Sequence, residues 1–156
     1  MGRMYSAVFE KVAVAAAQDL FEVIAPADAA VVIHAVYFGQ DIDFGDAEAE
    51  LIGILMHRDN TSPTSGSGGS VPTAQPLSAG DAAFGGTTDV NNTTQAAEGA
   101  MLHADTWNVA AGYQMIWTPE TRPVIAPSGM FIVEIQVAPT DSITMSGTIY
   151  FEELGG

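Results

Sequence analysis

The most regular pattern in the chain is an alternation of apolar and polar residues near its C-terminus. Ile143, Met145, Gly147, Ile149 and Phe151 occupy every second position. Successive side chains of a β-strand point to opposite faces, so this period of two predicts a strand with one packed face. The segment from Met130 to Val137 alternates in the same way, and the turn residues Pro127-Ser-Gly precede it.

Six further segments predict strands because they are apolar and rich in β-branched or aromatic residues. They are residues 4–14, 20–25, 29–38, 48–58, 101–109 and 113–118. The Ala-rich stretch from Val8 to Ile24 is also compatible with a helix, but two strands are favoured because it contains Val12, Val14 and Phe21 and no helix stop signal. About eight strands predict an all-β chain, a single β-sandwich domain over residues 1–156, with a jelly roll as the expected arrangement.

A long insertion of different composition separates the predicted strands. Residues 59–99 contain no Lys or Arg, and 28 of the 41 are Gly, Ser, Thr, Pro, Asn or Asp. A structureless loop of this length is uncommon inside a compact domain. Two interpretations stay open: a flexible surface loop, or an arm that becomes ordered on a neighbouring subunit. Leu77, Phe84 and Val90 interrupt the polar run and are the candidate partner-binding residues of such an arm.

The charge of the chain excludes some partners. Nineteen Asp and Glu residues stand against four Lys and Arg, which gives a formal net charge of −15. Nucleic acids and anionic membrane surfaces are both bound through clustered cations, so neither is an expected partner. Apolar runs such as Ala29 to Ile33 are too short to span a bilayer. The chain has no Cys, which removes disulfides and thiolate chemistry.

Few residues suggest catalysis or metal binding. His103 and Asp105 share one face of a predicted strand and could form an imidazole–carboxylate pair, but no known catalytic pattern accompanies them. His57 ends a predicted strand and is expected to be solvated. The run from Asp41 to Asp46 offers oxygen ligands for Ca²⁺, although an acidic turn explains it more simply. We therefore expect a non-enzymatic protein with no catalytic residue, cofactor or metal.

The aromatic residues allow a second function. Trp107, Tyr113, Trp117 and Tyr150 lie on or near predicted strands. Such side chains either fill the core of a sandwich or stack on sugars at its surface. A carbohydrate-binding β-sandwich module, possibly carried on a virion, is therefore the alternative function, with Tyr113 and Trp117 on the binding face.

Several segments resemble the small head proteins of tailed bacteriophages. They are Ala17-Gln-Asp-Leu-Phe-Glu, Ala25-Pro-Ala-Asp, Pro127-Ser-Gly and the closing Thr144-Met-Ser-Gly-Thr-Ile-Tyr-Phe-Glu-Glu, with the Ser/Gly/Thr-rich insertion between them. The resemblance implies a capsid decoration, or cement, protein: a jelly-roll or β-sandwich homotrimer on the capsid exterior. It implies the major capsid protein and further copies of the chain as partners. It also implies that the protein is in the host cytoplasm before assembly and on the exterior of the virion afterwards. It implies no catalytic residues.

Overall fold

The computed structural model describes residues 2–41, 50–61 and 63–155. Those residues form eleven strands and no helix, and therefore contain no helix that could cross a membrane. The strands are β1 (Arg3–Val14), β2 (Gln18–Ile24), β3 (Ala30–Gln40), β4 (Leu51–Asp59), β5 (Gln75–Pro76), β6 (Thr87–Asn92), β7 (Ala100–Asn108), β8 (Tyr113–Ile116), β9 (Val124–Ile125), β10 (Met130–Ile135) and β11 (Ile143–Leu154). The all-β prediction is confirmed, and β1 and β2 replace the helix considered for Val8 to Ile24.

The strands form two antiparallel sheets that pack against each other as a sandwich. The first sheet has the order β5-β1-β11-β3-β8, with β9 also paired to β3. The second sheet has the order β6-β2-β10-β4-β7. Eight of the strands form four nested pairs: β1 with β11, β2 with β10, β3 with β8 and β4 with β7. This nested pairing is that of a hairpin rolled into two sheets, which is the jelly roll expected from the sequence.

One hydrophobic core lies between the two sheets. Its largest fully buried side chains include Tyr5, Phe21, Trp107, Phe131 and Phe151, which come from both sheets. Each large apolar side chain buried in this way contributes about 1.5–3 kcal/mol to folding. The alternation of β11 follows directly, because its odd-numbered residues face this core and its even-numbered residues are half-exposed.

The second sheet is unusual because β2 and β10 are buried on both faces. Phe21 and Val133 face the core, whereas Ile24, Met130 and Ile132 form a small second cluster with Ala96 of the insertion. The insertion therefore covers the outer face of this sheet. It also supplies two strands that the sequence did not predict, β5 and β6.

Candidate functional site

The insertion lies on the sandwich of its own chain. Two of its segments, residues 63–70 and 93–98, run over the outer side of the second sheet, and we call them the strap. Backbone hydrogen bonds join Ser67 to Thr94 and Ser70 to Val90 at 2.8–3.0 Å. The Ala97 amide donates to the Thr64 carbonyl at 3.0 Å. The strap is thus held as a continuation of the sheet at its β6 edge.

The three predicted partner-binding residues of the insertion have different surroundings. Val90 is 1% exposed and pairs with Phe21 of β2. Phe84 is half-buried, and its ring centroid lies 5.3 Å from that of Tyr5 and 4.8 Å from that of Phe151. Leu77 is 55% exposed. Phe84 and Val90 anchor the insertion to its own domain, and of the three only Leu77 presents most of its side chain to a partner.

Carboxyl groups hold the strap from below. The acid cluster consists of Asp19 and Glu22 of β2 and Glu134 of β10, each at most 3% exposed. Glu22 accepts hydrogen bonds from the Ser65 hydroxyl, from the Gly66 amide at 3.0 Å and from the Asn92 side-chain amide at 2.6 Å. Asp19 Oδ2 accepts the Ala96 amide at 2.6 Å. These contacts satisfy strap amides that would otherwise be buried without partners.

Other polar atoms of this region lack partners. His57 is 1% exposed, so the prediction that it is solvated is wrong: its strand lies under the covered face. Its Nε2 lies 3.7 Å from Glu134 Oε1, which is beyond hydrogen-bond distance. Among the described residues, neither His57 ring nitrogen nor Asp19 Oδ1 has a hydrogen-bond partner.

Burial changes the protonation of the acid cluster, because a charged carboxylate is poorly solvated there. Burial raises the pKa of Asp19 to about 8; the hydrogen bond from Ala96 opposes this shift, and the neighbouring Glu22 and Glu134 carboxylates add to it. Burial also raises the pKa of Glu134, and His57 partly counteracts that rise. Burial therefore favours the protonated form of Asp19.

His103 and Asp105 share a face of β7, as the sequence predicts, but do not form a hydrogen bond. His103 Nε2 lies 3.7 Å from Asp105 Oδ2. Burial, and then the Asp105 charge, raise the pKa of the nearby Tyr113 to about 12. Two surface cavities of about 240 and 290 Å³ lie elsewhere, beside Phe84 and beside Gln18. The pair thus has neither a tight contact nor a place in these cavities.

The Ca²⁺ site and the sugar-binding face that the sequence left as alternatives receive no support from the described residues. The described residues contain no group of three acidic or His side chains that could hold a metal ion. Of the Asp41–Asp46 run, only Asp41 lies within the described residues, and its Oδ2 accepts the Ser146 hydroxyl at 2.9 Å. Trp107, Tyr113 and Trp117 are 2–8% exposed and pack in the core. The core interpretation of these aromatics is confirmed, and they form no stacking platform.

Each sheet has two edges: β5 and β6 lie at one pair of edges, and β7, β8 and β9 lie at the opposite pair. Four exposed apolar side chains lie on these last three strands. These four form what we call the edge surface: Met101 and Leu102 of β7, Ile116 of β8 and Val124 of β9, all 39–56% exposed. Phe38 of β3 contacts Trp107 of β7, with 5.2 Å between ring centroids, so these edges lie on the same side of the sandwich. The sequence predicts the strands but not that they end the sheets.

The two sides of the sandwich differ in how their edges are covered. On one side, β5 pairs with β1 and the strap bonds to β6, so the insertion occupies both sheet edges. On the other side, β7 pairs only with β4 among the described residues. Seven of its nine residues are exposed, and it contains neither Lys nor Pro, which commonly block edge strands.

Comparison of the chain with protein-family models, with curated proteins and with solved structures found no match.

Proposed function

We propose that the protein is a non-enzymatic structural protein that binds the outside of a bacteriophage capsid as a homotrimer and stabilises it. The observation that carries this proposal is the edge surface, an open strand flanked by exposed apolar side chains on a chain with a net charge of −15. Exposed apolar groups on such an acidic surface are typical of a protein–protein contact. The resemblance of the sequence to phage head proteins supplies the identity of the partner, the major capsid protein.

The edge surface suits attachment to a folded lattice. The outer edge of β7 has no partner strand among the described residues, so its backbone groups can pair with an extended segment of another chain, and Met101 and Leu102 can pack beside it. Three copies bound to one another would each add such a contact. Joint engagement raises the effective affinity even when a single contact is weak. The negative charge keeps the free protein soluble before assembly and disfavours contact with packaged DNA.

Co-sedimentation with capsids that lack the protein tests this function. We expect the wild-type protein to pellet with the capsids and to have a native mass near three chains by light scattering. The double variant Met101→Glu/Leu102→Glu should lose capsid binding, because it places two charges in the edge surface. Val8→Glu is the matched control, because Val8 is 50% exposed on β1.

The outcomes separate the parts of the proposal. Wild-type protein that never pellets with capsids would refute the function. Equal capsid binding by the wild type and by the double variant would show that the edge surface is not the capsid-binding surface. Leu77→Glu tests, in the same assay, the one of the three predicted partner-binding residues that is mostly exposed. Melting curves show whether each variant is folded before binding is compared.

A further inference from the structure

The strap closes over carboxyl groups that have almost no cations to balance them. Asp19, Glu22 and Glu134 lie below it, and Glu98 of the strap itself adds its charge to the surroundings of Glu134. Asp89 of β6 accepts the Ser65 hydroxyl at 3.0 Å and so faces the same region. Within the part of the chain that the structure describes, His57 of β4 lies 3.7 Å from Glu134, and residues 59–99 contain no Lys or Arg.

The contacts of the strap depend on this crowded arrangement. The strap is bonded to the acid cluster through the amides of Gly66 and Ala96 and the hydroxyl of Ser65. Its apolar support is small, since Ala96 packs only against Ile24, Met130 and Ile132 in the second cluster. Full ionisation of the cluster would place like charges side by side in a site that water barely reaches. The strap packs on the small second cluster and not on the core between the sheets, so it can move without opening that core.

We propose that the strap is pH-sensitive: it stays closed on the second sheet while the acid cluster retains a proton, and it loosens from the sheet when that proton is lost. Opening would uncover the acid cluster together with the apolar side chains of Ile24, Met130 and Ile132. The strap would then leave the β6 edge unpaired.

The sign of the effect follows from Asp19. An exposed Asp ionises near pH 4, whereas the closed strap raises the pKa of Asp19 to about 8. The closed form therefore binds a proton that the open form releases. Its advantage is complete below pH 4, falls as the pH rises from about 4 to 8, and is lost above that range. Between pH 6 and pH 8 one such proton increases the opening equilibrium by up to about 50-fold.

Hydrogen exchange measured amide by amide tests the strap. The reporters are the amides of Ser67, Ser70, Thr94 and Ala97, which bond across the strap. Their protection factors, corrected for the intrinsic effect of pH on exchange, should fall severalfold to 50-fold from pH 6 to pH 8. The Ile149 amide in β11 should stay protected at both values, which separates opening of the strap from global unfolding.

Two variants connect the effect to the acid cluster. Asp19→Asn keeps an oxygen that can accept the Ala96 amide, but the new side chain cannot ionise. Its strap protection should therefore fall much less between pH 6 and pH 8 than that of the wild type, and Glu134, whose pKa is also raised by burial, accounts for the remaining change. Asp28→Asn is the control, because Asp28 is exposed in the loop between β2 and β3. It should keep the wild-type dependence. Wild-type protection that is constant between the two pH values, or a fall of equal size in Asp19→Asn, would overturn the proposal.

A titration of the wild-type protein gives a second measurement that needs no variant. Carbon-detected NMR follows the Asp19 carboxyl directly. Its midpoint should lie near pH 8, the pH above which the loss of strap protection levels off. Ionisation of Asp19 below pH 5, or strap protection that keeps falling well above the Asp19 midpoint, would also refute the strap mechanism. Capsid binding plays no part in these readouts, so failure here leaves the proposed function untouched.

Discussion

Replacing Phe84 with Ala removes an aromatic contact between the insertion and the core. The ring of Phe84 lies against Tyr5 and Phe151, and the Tyr5 hydroxyl donates to the Ala82 carbonyl at 2.9 Å beside it. Truncating a fully buried Phe costs about 3–5 kcal/mol. Phe84 is half-buried and borders a cavity of about 240 Å³. We therefore expect Phe84→Ala to lower the free energy of unfolding by about 2–3 kcal/mol.

Urea denaturation followed by Trp fluorescence measures this loss, because Trp107 and Trp117 are both buried in the core. Leu77→Ala is the matched control: it truncates an apolar residue of the same insertion that is 55% exposed. Its effect should stay within about 0.5 kcal/mol. If Phe84→Ala is as stable as Leu77→Ala, the Phe84 ring does not contribute to the stability of the core and the reasoning fails.

Two further substitutions test the attachment of the insertion by urea denaturation. A Cβ at Gly66 would lie 2.3 Å from the Thr94 carbonyl oxygen and 2.5 Å from Glu22 Oε1, so Gly66→Ala should cost about 1–3 kcal/mol. Gly80→Ala, with no atom within 4 Å of the added Cβ, should cost far less, and equal losses would contradict the close contact. Arg3→Ala should cost about 1–3 kcal/mol, because Glu153 is 3% exposed and would keep only the Gly85 amide. Lys11→Ala is its control, and a similar loss in both would show that the Arg3–Glu153 pair adds nothing.

The sequence predicts the parts of the fold in which one face of a strand is packed and the other is polar. β11 shows this most clearly, since Ile149 and Phe151 face the core while Thr148 and Glu152 are half-exposed. The eight principal strands could be located from this alternation or from runs of apolar, β-branched and aromatic residues, and their number led to the jelly roll. β6 could not, because its sequence, Thr-Thr-Asp-Val-Asn-Asn, contains a single apolar residue.

The acid cluster could not be predicted for a related reason. Asp19 and Glu22 resemble the solvent-facing residues of an ordinary strand, and only the position of the strap makes them buried. A composition of Gly, Ser and Thr gives no indication of where a segment packs, because few of its side chains prefer the core. The edge surface was missed since a strand prediction does not say which strands lie at the ends of a sheet.

The pairing of β1 with β11 has a consequence for how the chain reaches its native state. Arg3 and Glu153 are 150 positions apart, yet they are partners in the ladder near the middle of the first sheet. During synthesis, nearly all of the residues between them must therefore leave the ribosome before β1 can pair with β11. Contacts between distant positions require a large loss of chain entropy first, so they slow folding. We expect slow, late formation of this ladder, with β1 exposed to misassociation until β11 has been synthesised.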